Sequence, residues 1–199
     1  NPMYAHCGEV NWAEGTGIDC VQTQVDALLT KIRRKHKEYG INEKPFVVVK
    51  ANNGTYGMGV MTVRDAKELD EVNRRTRNKM AVVKDGQEVT EVIIQEGVHT
   101  FERVNEAVAE PVVYMIDRYV VGGFYRVHAD RGIDENLNAP GASFVPLAFA
   151  ESHHLPKVGA KPGASAPNRF YMYGVIGRLA MLAAAYELEA TDPNAEVYE

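Results

Sequence analysis

The sequence is poor in cysteine, in long apolar runs and in surplus positive charge. Its two cysteines, Cys7 and Cys20, are spaced as no zinc-binding pattern requires. A reducing, cytoplasmic setting is the expectation that follows. No apolar run approaches the roughly 18 residues of a membrane span, and no secretory signal opens the chain. A membrane partner is therefore not expected. The net charge of -5, with no basic patch interleaved with aromatics, argues against a nucleic-acid partner. The one cationic run, Lys31 to Lys37, reads as the solvated face of a helix. The chain opens at Asn1 with residues that read like the middle of a protein.

What is present is ordinary globular material. Hydrophobic residues make up 45% and charged residues 25% of 199 residues, enough for one large domain or two small ones with a sizeable core. The most informative stretch is Pro45 to Val63, PFVVVKANNGTYGMGVMTV. The apolar runs Phe46 to Val49 and Val60 to Val63 read as two strands, bounded by Asn and Gly. Between them Gly54, Gly57 and Gly59 let backbone N–H groups approach a ligand that a Cβ would exclude.

Two familiar phosphate loops fail against this stretch. Gly54 and Gly59 fit the first half of G-x-x-x-x-G-K-[ST], but Val60 and Met61 stand where Lys and Ser/Thr are needed. Gly57 and Gly59 begin a G-x-G-x-x-G, but Thr62 takes the third glycine position, and a strand follows where a helix should start. A glycine-tipped hairpin closing over phosphates as a lid remains, with Lys50 at the exit of its first strand. A long hairpin loop with glycines for turn geometry alone is the competing reading.

The rest of the chain is read as follows. A short strand is expected at Gly8 to Trp12, then an amphipathic helix over Cys20 to Tyr39 that buries Val21, Val25, Leu28, Leu29 and Ile32 and stops at Gly40. A polar helix is expected from Arg64-Asp65 to about Asn78, then strands Ala81 to Lys84 and Val89 to Gln95 around an Asp85-Gly86 turn. Pro111 to Asp117 and Arg118 to Val127 form another strand pair, bent at Gly122-Gly123 and carrying Arg126. Gly141 to Glu151 reads as extended, and Leu155 to Arg169 as a long flexible stretch. Tyr171 to Ala190 is a helix apolar nearly all round, which should be buried.

Several side chains invite chemistry. Glu135, Asn136 and Asn138 offer hard oxygen ligands within four positions, as magnesium takes, although Asn-rich loops are also plain turn material. Arg126 has the forked geometry that suits phosphate or carboxylate, and equally a surface ion pair. Glu96 ends a strand in Gln95-Glu96-Gly97-Val98, as a site carboxylate or a surface one. His153-His154 and Cys7 have no third partner near them in sequence.

Taken in order, FVVVKANNGTYGMGV, EVIIQEGV, VVYMIDRYVVGGFYRV and ENLNAPG resemble the ATP-grasp enzymes, in which a lysine enters a mobile glycine hairpin. More closely, NPMYAHCGEVNW, KANNGTYGMGVM and YGVIGRLAMLAAAYELE resemble the proteobacterial glutamate-cysteine ligase family, over nearly the whole chain. That family is longer, so the resemblance implies a further N-terminal portion.

The fold implied is α+β, ATP-grasp-like: antiparallel sheets, packed helices and a glycine-rich hairpin lid. Residues 1–44 would be an N-terminal loop and helix, 45–95 the lid subdomain and 96–199 the C-terminal subdomain. The activity implied is ATP-dependent joining of the γ-carboxylate of L-glutamate to the amine of L-cysteine through an acyl phosphate, the first step of glutathione synthesis. A non-catalytic nucleotide-binding module, or a ligase with a different amino-acid acceptor, is the alternative.

The resemblance assigns ATP to Lys50, to Asn53, Gly54, Tyr56, Gly57 and Gly59, and to Gln95, Glu96, Gly97 and Val98. It assigns catalysis to Lys50 and Arg126, phosphate or substrate to Asn136 and Asn138, and Mg2+ to Glu135 and Asn138. The metal assignment departs from the family pattern, because Asn136 stands where a Glu-x-Asn begins; Glu9 and Asn11 form such a pair, but ahead of the glycine loop. Homo-oligomerisation is left open.

Overall fold

The computed structural model describes residues 3–54, 57–82, 84–147, 159 and 169–193. It has α+β architecture with two antiparallel sheets. Strands β1 (Tyr4–Cys7), β2 (Val47–Ala51), β3 (Val60–Val63) and β4 (Val92–Glu96) form the first sheet, in the order β1-β4-β2-β3. Strands β5 (Arg103–Val104), β6 (Ala107–Ile116), β7 (Tyr119–His128) and β8 (Ser143–Pro146) form the second, in sequential order. Among the described residues no helix is long and apolar enough to cross a membrane.

The chain divides into two compact units. The first comprises Asn1–Val108 and His128–Ala142, and the second Ala109–Val127 and Ser143–Glu199. The first is built around helix α1 (Ile18–Tyr39), which buries Val21, Val25, Leu28, Leu29, Ile32 and His36 on one side. That spacing is the helical period. Gly40 ends the helix at φ 66°, and the Ile41 N–H reaches back to the His36 carbonyl, closing the left-handed stop that glycine permits.

Period two in β2 and β4 supplies the matching surface. Val47, Val49 and Ala51 face the helix beside their partners Glu96, Ile94 and Val92, while Val48 and Lys50 face the other way with Gln95 and Ile93. The core of α1, β2 and β4 also takes in Cys7, Val10, Trp12, Val63, Leu69 and Met80. Each such aliphatic side chain contributes about 1.5–3 kcal/mol.

The expected hairpin forms, with Lys50 opposite Val60 and Val47 opposite Val63. Several other elements differ from expectation. The first strand lies at Tyr4–Cys7 and not at Gly8 to Trp12, where only a single bridge joins Asn11 to Thr16. The polar helix splits in two. Asp65 and Glu68 form a reciprocal capping box on a 3-10 turn (Ala66–Leu69), and the Asn73 side chain then caps a separate helix α2 (Arg74–Ala81). The hairpin around Asp85-Gly86 shrinks to one bridge, Val82 to Glu88, because residues Lys84–Gly86 wind into a 3-10 turn.

The two cysteines, expected in a reducing setting, are joined: Cys7 on β1 is disulfide-bonded to Cys20 in the first turn of α1, with Cα atoms 6.3 Å apart.

In the second unit, β7 runs through Gly122-Gly123 without a break. A Cβ on Gly123 would lie 2.5 Å from the Val112 carbonyl and 2.9 Å from Leu147, so only glycine fits. Helix α3 (Arg169–Thr191) differs most from expectation. Tyr173 is buried, its hydroxyl 3.0 Å from that of Tyr125, but Ile176, Leu179, Leu182, Tyr186 and Leu188 are exposed. With apolar residues all round, the helix can bury only one side against its own unit. The flexible stretch expected from Leu155 to Arg169, and His153-His154, fall outside the described residues apart from 159 and the first residue of α3.

One ion pair ties helix to sheet. The Lys35 ammonium donates to both Glu96 oxygens, at 2.7 and 2.9 Å, and the Met3 N–H donates to one of them at 3.0 Å. Burial alone would raise the Glu96 pKa, but Lys35 and the Met3 amide outweigh it and hold the carboxyl below the ordinary range. The stability this confers is present above the unfolded-chain pKa of about 4.3 and is lost as pH falls through the lower folded value. Glu96→Gln is expected to cost about 1–3 kcal/mol near neutral pH, and less near pH 3, where the wild-type carboxyl is losing its charge. Urea unfolding of both proteins at the two pH values tests this; a difference independent of pH would refute it.

Candidate functional site

The outward face of the first sheet is the first component. Because Lys50 pairs with Ile93 and Val48 with Gln95, Lys50 and Gln95 stand on one half-open face as diagonal neighbours, roughly 7–8 Å apart by sheet geometry. Val60 and Thr62 of β3 continue the same rows. Glu96 does not join them. The strand period turns its side chain to the helix, where Lys35 and Met3 occupy it, so the carboxylate expected at a nucleotide site is a structural tie. The N–H groups of Glu96 and Gly97 are also spent, on the carbonyls of Met3 and Phe46. A Cβ on Gly97 would collide with the Phe46 ring, which gives this glycine a packing reason. Val98, beyond the strand, is exposed.

The glycine loop is the second component. The Ala51 N–H bonds to the Gly59 carbonyl at 2.9 Å and the Gly54 N–H to the Ala51 carbonyl at 3.1 Å, so the turn starts as soon as β2 ends. Asn52 donates to the Glu91 carboxylate, Asn53 is exposed, and Tyr56 lies outside the described residues. Gly57 and Gly59 have φ of 73° and 61°, the left-handed region that glycine enters without strain.

The loop at 130–141 comes to this tip. A Cβ on Gly57 would sit 3.2 Å from both the Asn136 side-chain nitrogen and the Asn138 carbonyl. Two segments about eighty residues apart in sequence are thus packed together within one unit.

That second loop is firmly held. Arg64, just past β3, grips Asp134 through Nε at 2.9 Å and Nη2 at 2.6 Å. The buried His128 sets its Nε2 3.0 Å from the Pro140 carbonyl, while its Nδ1 accepts from the Asp130 N–H. Both ring nitrogens are thus tied to the loop. Glu135 accepts from the Gly132 N–H at 2.7 Å and from Arg131 at 2.9 Å; the Gly132 amide first, then Arg131, keep its carboxyl below the ordinary range. The Asn136 side chain accepts from the Asn138 N–H, an Asx turn.

Glycine loop and second loop line a cavity of about 710 Å3, whose walls also carry Arg64, Thr76, Lys79 and Arg131. That volume is in the range of small-molecule sites. The cation set was not legible in sequence, since α2 and the 130–141 loop reach the glycine loop only through tertiary packing.

The expected metal site rests on Glu135 and Asn138 without a carboxylate cluster around them among the described residues. Both oxygens of Glu135 are engaged, and among the described residues no three His, Cys, Asp or Glu side chains converge. Asn11 spends its side-chain oxygen on the N–H groups of Ala13 and Glu14. Glu135 keeps lone pairs beyond its own two bonds, and Glu135 and Asn138 stay the residues proposed to hold a divalent cation. Arg126, in the second unit, pairs through Nη1 with Glu110 of β6, and its buried Nε has no hydrogen-bond partner among the described residues.

Comparison with known proteins gives a consistent result. The pattern described as "Glutamate-cysteine ligase" matches residues 1–188. The chain is also similar to a crystal structure, at 1.90 Å resolution, of a provisionally named gamma-glutamylcysteine synthetase from Methylobacillus flagellatus KT. Identity is 56% and the TM-score 0.78, over 96% of this chain and 45% of that one. The chain thus spans less than half the length of that relative. No curated protein matches it.

Gly57→Ala tests the contact between the two loops. It adds about 1–2 kcal/mol of left-handed backbone strain and pushes on Asn136 and Asn138. Amide hydrogen exchange across 131–141 is expected to quicken in this variant. It should stay unchanged in Gly8→Ala, where an added Cβ meets nothing within 4 Å. Equal exchange in both variants would show that the loops do not support each other.

Proposed function

Because the chain belongs to the glutamate-cysteine ligase family, we propose that its first unit binds ATP for an amide-forming ligase that joins the γ-carboxylate of L-glutamate to the amine of L-cysteine. The observation that carries this reading is the contact of Gly57 with Asn136 and Asn138, which gives a glycine hairpin a polar floor beside a cavity of ligand size. The fold this implies is ATP-grasp-like, with the glycine hairpin as its lid.

The roles follow from the chemistry each group can perform. Lys50 supplies a compact positive charge to the phosphates from the open sheet face. Gln95, on that same face, offers an amide to the base. Gly57 and Gly59, with the flanking Asn53, bring main-chain donors to the phosphoryl group being transferred, Gly54 shapes the turn through its bond to Ala51, and Asn136 and Asn138 add side-chain amides. The resemblance gives Arg126 the charge that builds on a phosphoryl group and carboxylate, a task its forked guanidinium suits.

In the first step a γ-carboxylate oxygen of glutamate attacks the terminal phosphorus. The new P–O bond forms as the bond to ADP breaks. In the second step the cysteine amine attacks the acyl carbon, inorganic phosphate leaves, and the nitrogen loses a proton. The family's reaction is usually served by a divalent metal, which when bound would neutralise phosphate charge; Lys50 adds its own positive charge to that task.

A non-catalytic nucleotide-binding module is the second reading, favoured by the engaged oxygens of Glu135 and the absence of a carboxylate cluster among the described residues. One experiment separates the two. ATP is expected to raise the melting temperature by several degrees at saturating concentration, and Lys50→Ala to abolish most of that shift without lowering the melting temperature of the free protein. ADP release dependent on both glutamate and cysteine identifies the ligase; a shift without ADP release identifies the module. No shift in the wild-type protein would remove both.

A further inference from the structure

Three cations line the glycine-loop cavity, Arg64, Lys79 and Arg131, against one carboxylate, Glu135. Two of them are already matched. Arg64 is fixed by Asp134 and Arg131 by Glu135. Lys79 has no carboxylate partner among the described residues; its Nζ makes one long bond, 3.3 Å, to the Val60 carbonyl.

The position of that carbonyl gives Lys79 its meaning. Lys50 lies opposite Val60, and the Ala51 N–H bonds to the Gly59 carbonyl, so Lys50 and Val60 form a non-hydrogen-bonded pair. The Val60 carbonyl therefore points away from β2, off the outer edge of the sheet. Lys50 enters the glycine loop, and Lys79, reaching from α2, stands at the rung where the loop exits. Helix α2 presents Thr76 and Lys79, three positions apart and hence on one side, to the same cavity.

We propose that Lys79 is a phosphate-binding residue of the glycine-loop cavity, holding the polyphosphate of the nucleotide where the loop leaves for β3; Lys50, at the loop's entry, does not itself line that cavity. This rests on the nucleotide reading above. An ammonium has three donors, and the single bond to Val60 leaves two for phosphate oxygens. Arg64 and Arg131, spent on their own carboxylates, build the wall, while Lys79 carries the charge that is free to meet an anion. The other basic residues of α2, Arg74, Arg75 and Arg77, do not line the cavity.

Calorimetric titration of the whole chain with inorganic tripolyphosphate and with ATP tests the assignment. Lys79→Met is expected to weaken tripolyphosphate binding about tenfold, the loss typical of one hydrogen bond to a charged group. Lys79→Arg should recover most of it. The weakening should shrink in high salt, which screens a charge but not a packing defect. A merely structural lysine capping the edge of β3 would instead lower the melting temperature and leave the salt dependence of binding unchanged, and that result would overturn the proposal. So would unchanged affinity in Lys79→Met while Lys50→Ala loses affinity, a result that spares the nucleotide reading. Failure of the wild-type protein to bind either probe would overturn both.

Discussion

Everything at the site depends on the alternation of two central strands against one helix. Once α1 commits Val21, Val25, Leu28, Leu29 and Ile32 to a single side, β2 and β4 must turn Val47, Val49, Ala51, Val92 and Ile94 toward it. The residues between have no choice but the other face. Lys50 and Gln95 are presented together for that reason, and for the same reason Glu96 is withheld. A slip of one residue in β2 would bury an ammonium, and one in β4 would release a carboxylate, so packing fixes the electrostatic sign of the open face.

The second constraint is the anchoring of the 130–141 loop. A loop of this length would sample many shapes if left alone, and the order it shows comes from three separate ties: Arg64 to Asp134, His128 to Pro140, and Glu135 to the Gly132 amide. They hold Asn136 and Asn138 where Gly57 can meet them, so the polar floor of the cavity is shaped by groups outside the contact itself.

Much of the first unit was legible in the chain. The period of α1 and its stop at Gly40, the β2 and β3 hairpin, and the Lys50 position all follow from local pattern. The orientation of Glu96 was legible too, since it lies one residue from Gln95 in a strand of alternating burial; reading the four-residue motif as a block concealed it. The polar helix divides where helical spacing gives no sign of it, because Asp65 and Asn73 each start a new turn. Lys79, Arg131 and His128 carry no local signal, because their relation to the glycine loop exists only after distant segments pack. The exposure of α3 is likewise invisible to composition, which reports how apolar a helix is and not what covers it.

The Cys7 to Cys20 bridge acts where none of these contacts do, on the unfolded chain. It closes a loop across a sequence separation of 13 residues, and that loop contains Val10 and Trp12, both buried in the core. Closing a loop of about that size removes conformational freedom worth about 3 kcal/mol in the chain-entropy account. β1, held on one side only by β4, thereby stays near the start of α1 even when the sheet is not formed. The first unit thus begins folding with this edge strand already tethered to the first turn of the helix that its core is built around.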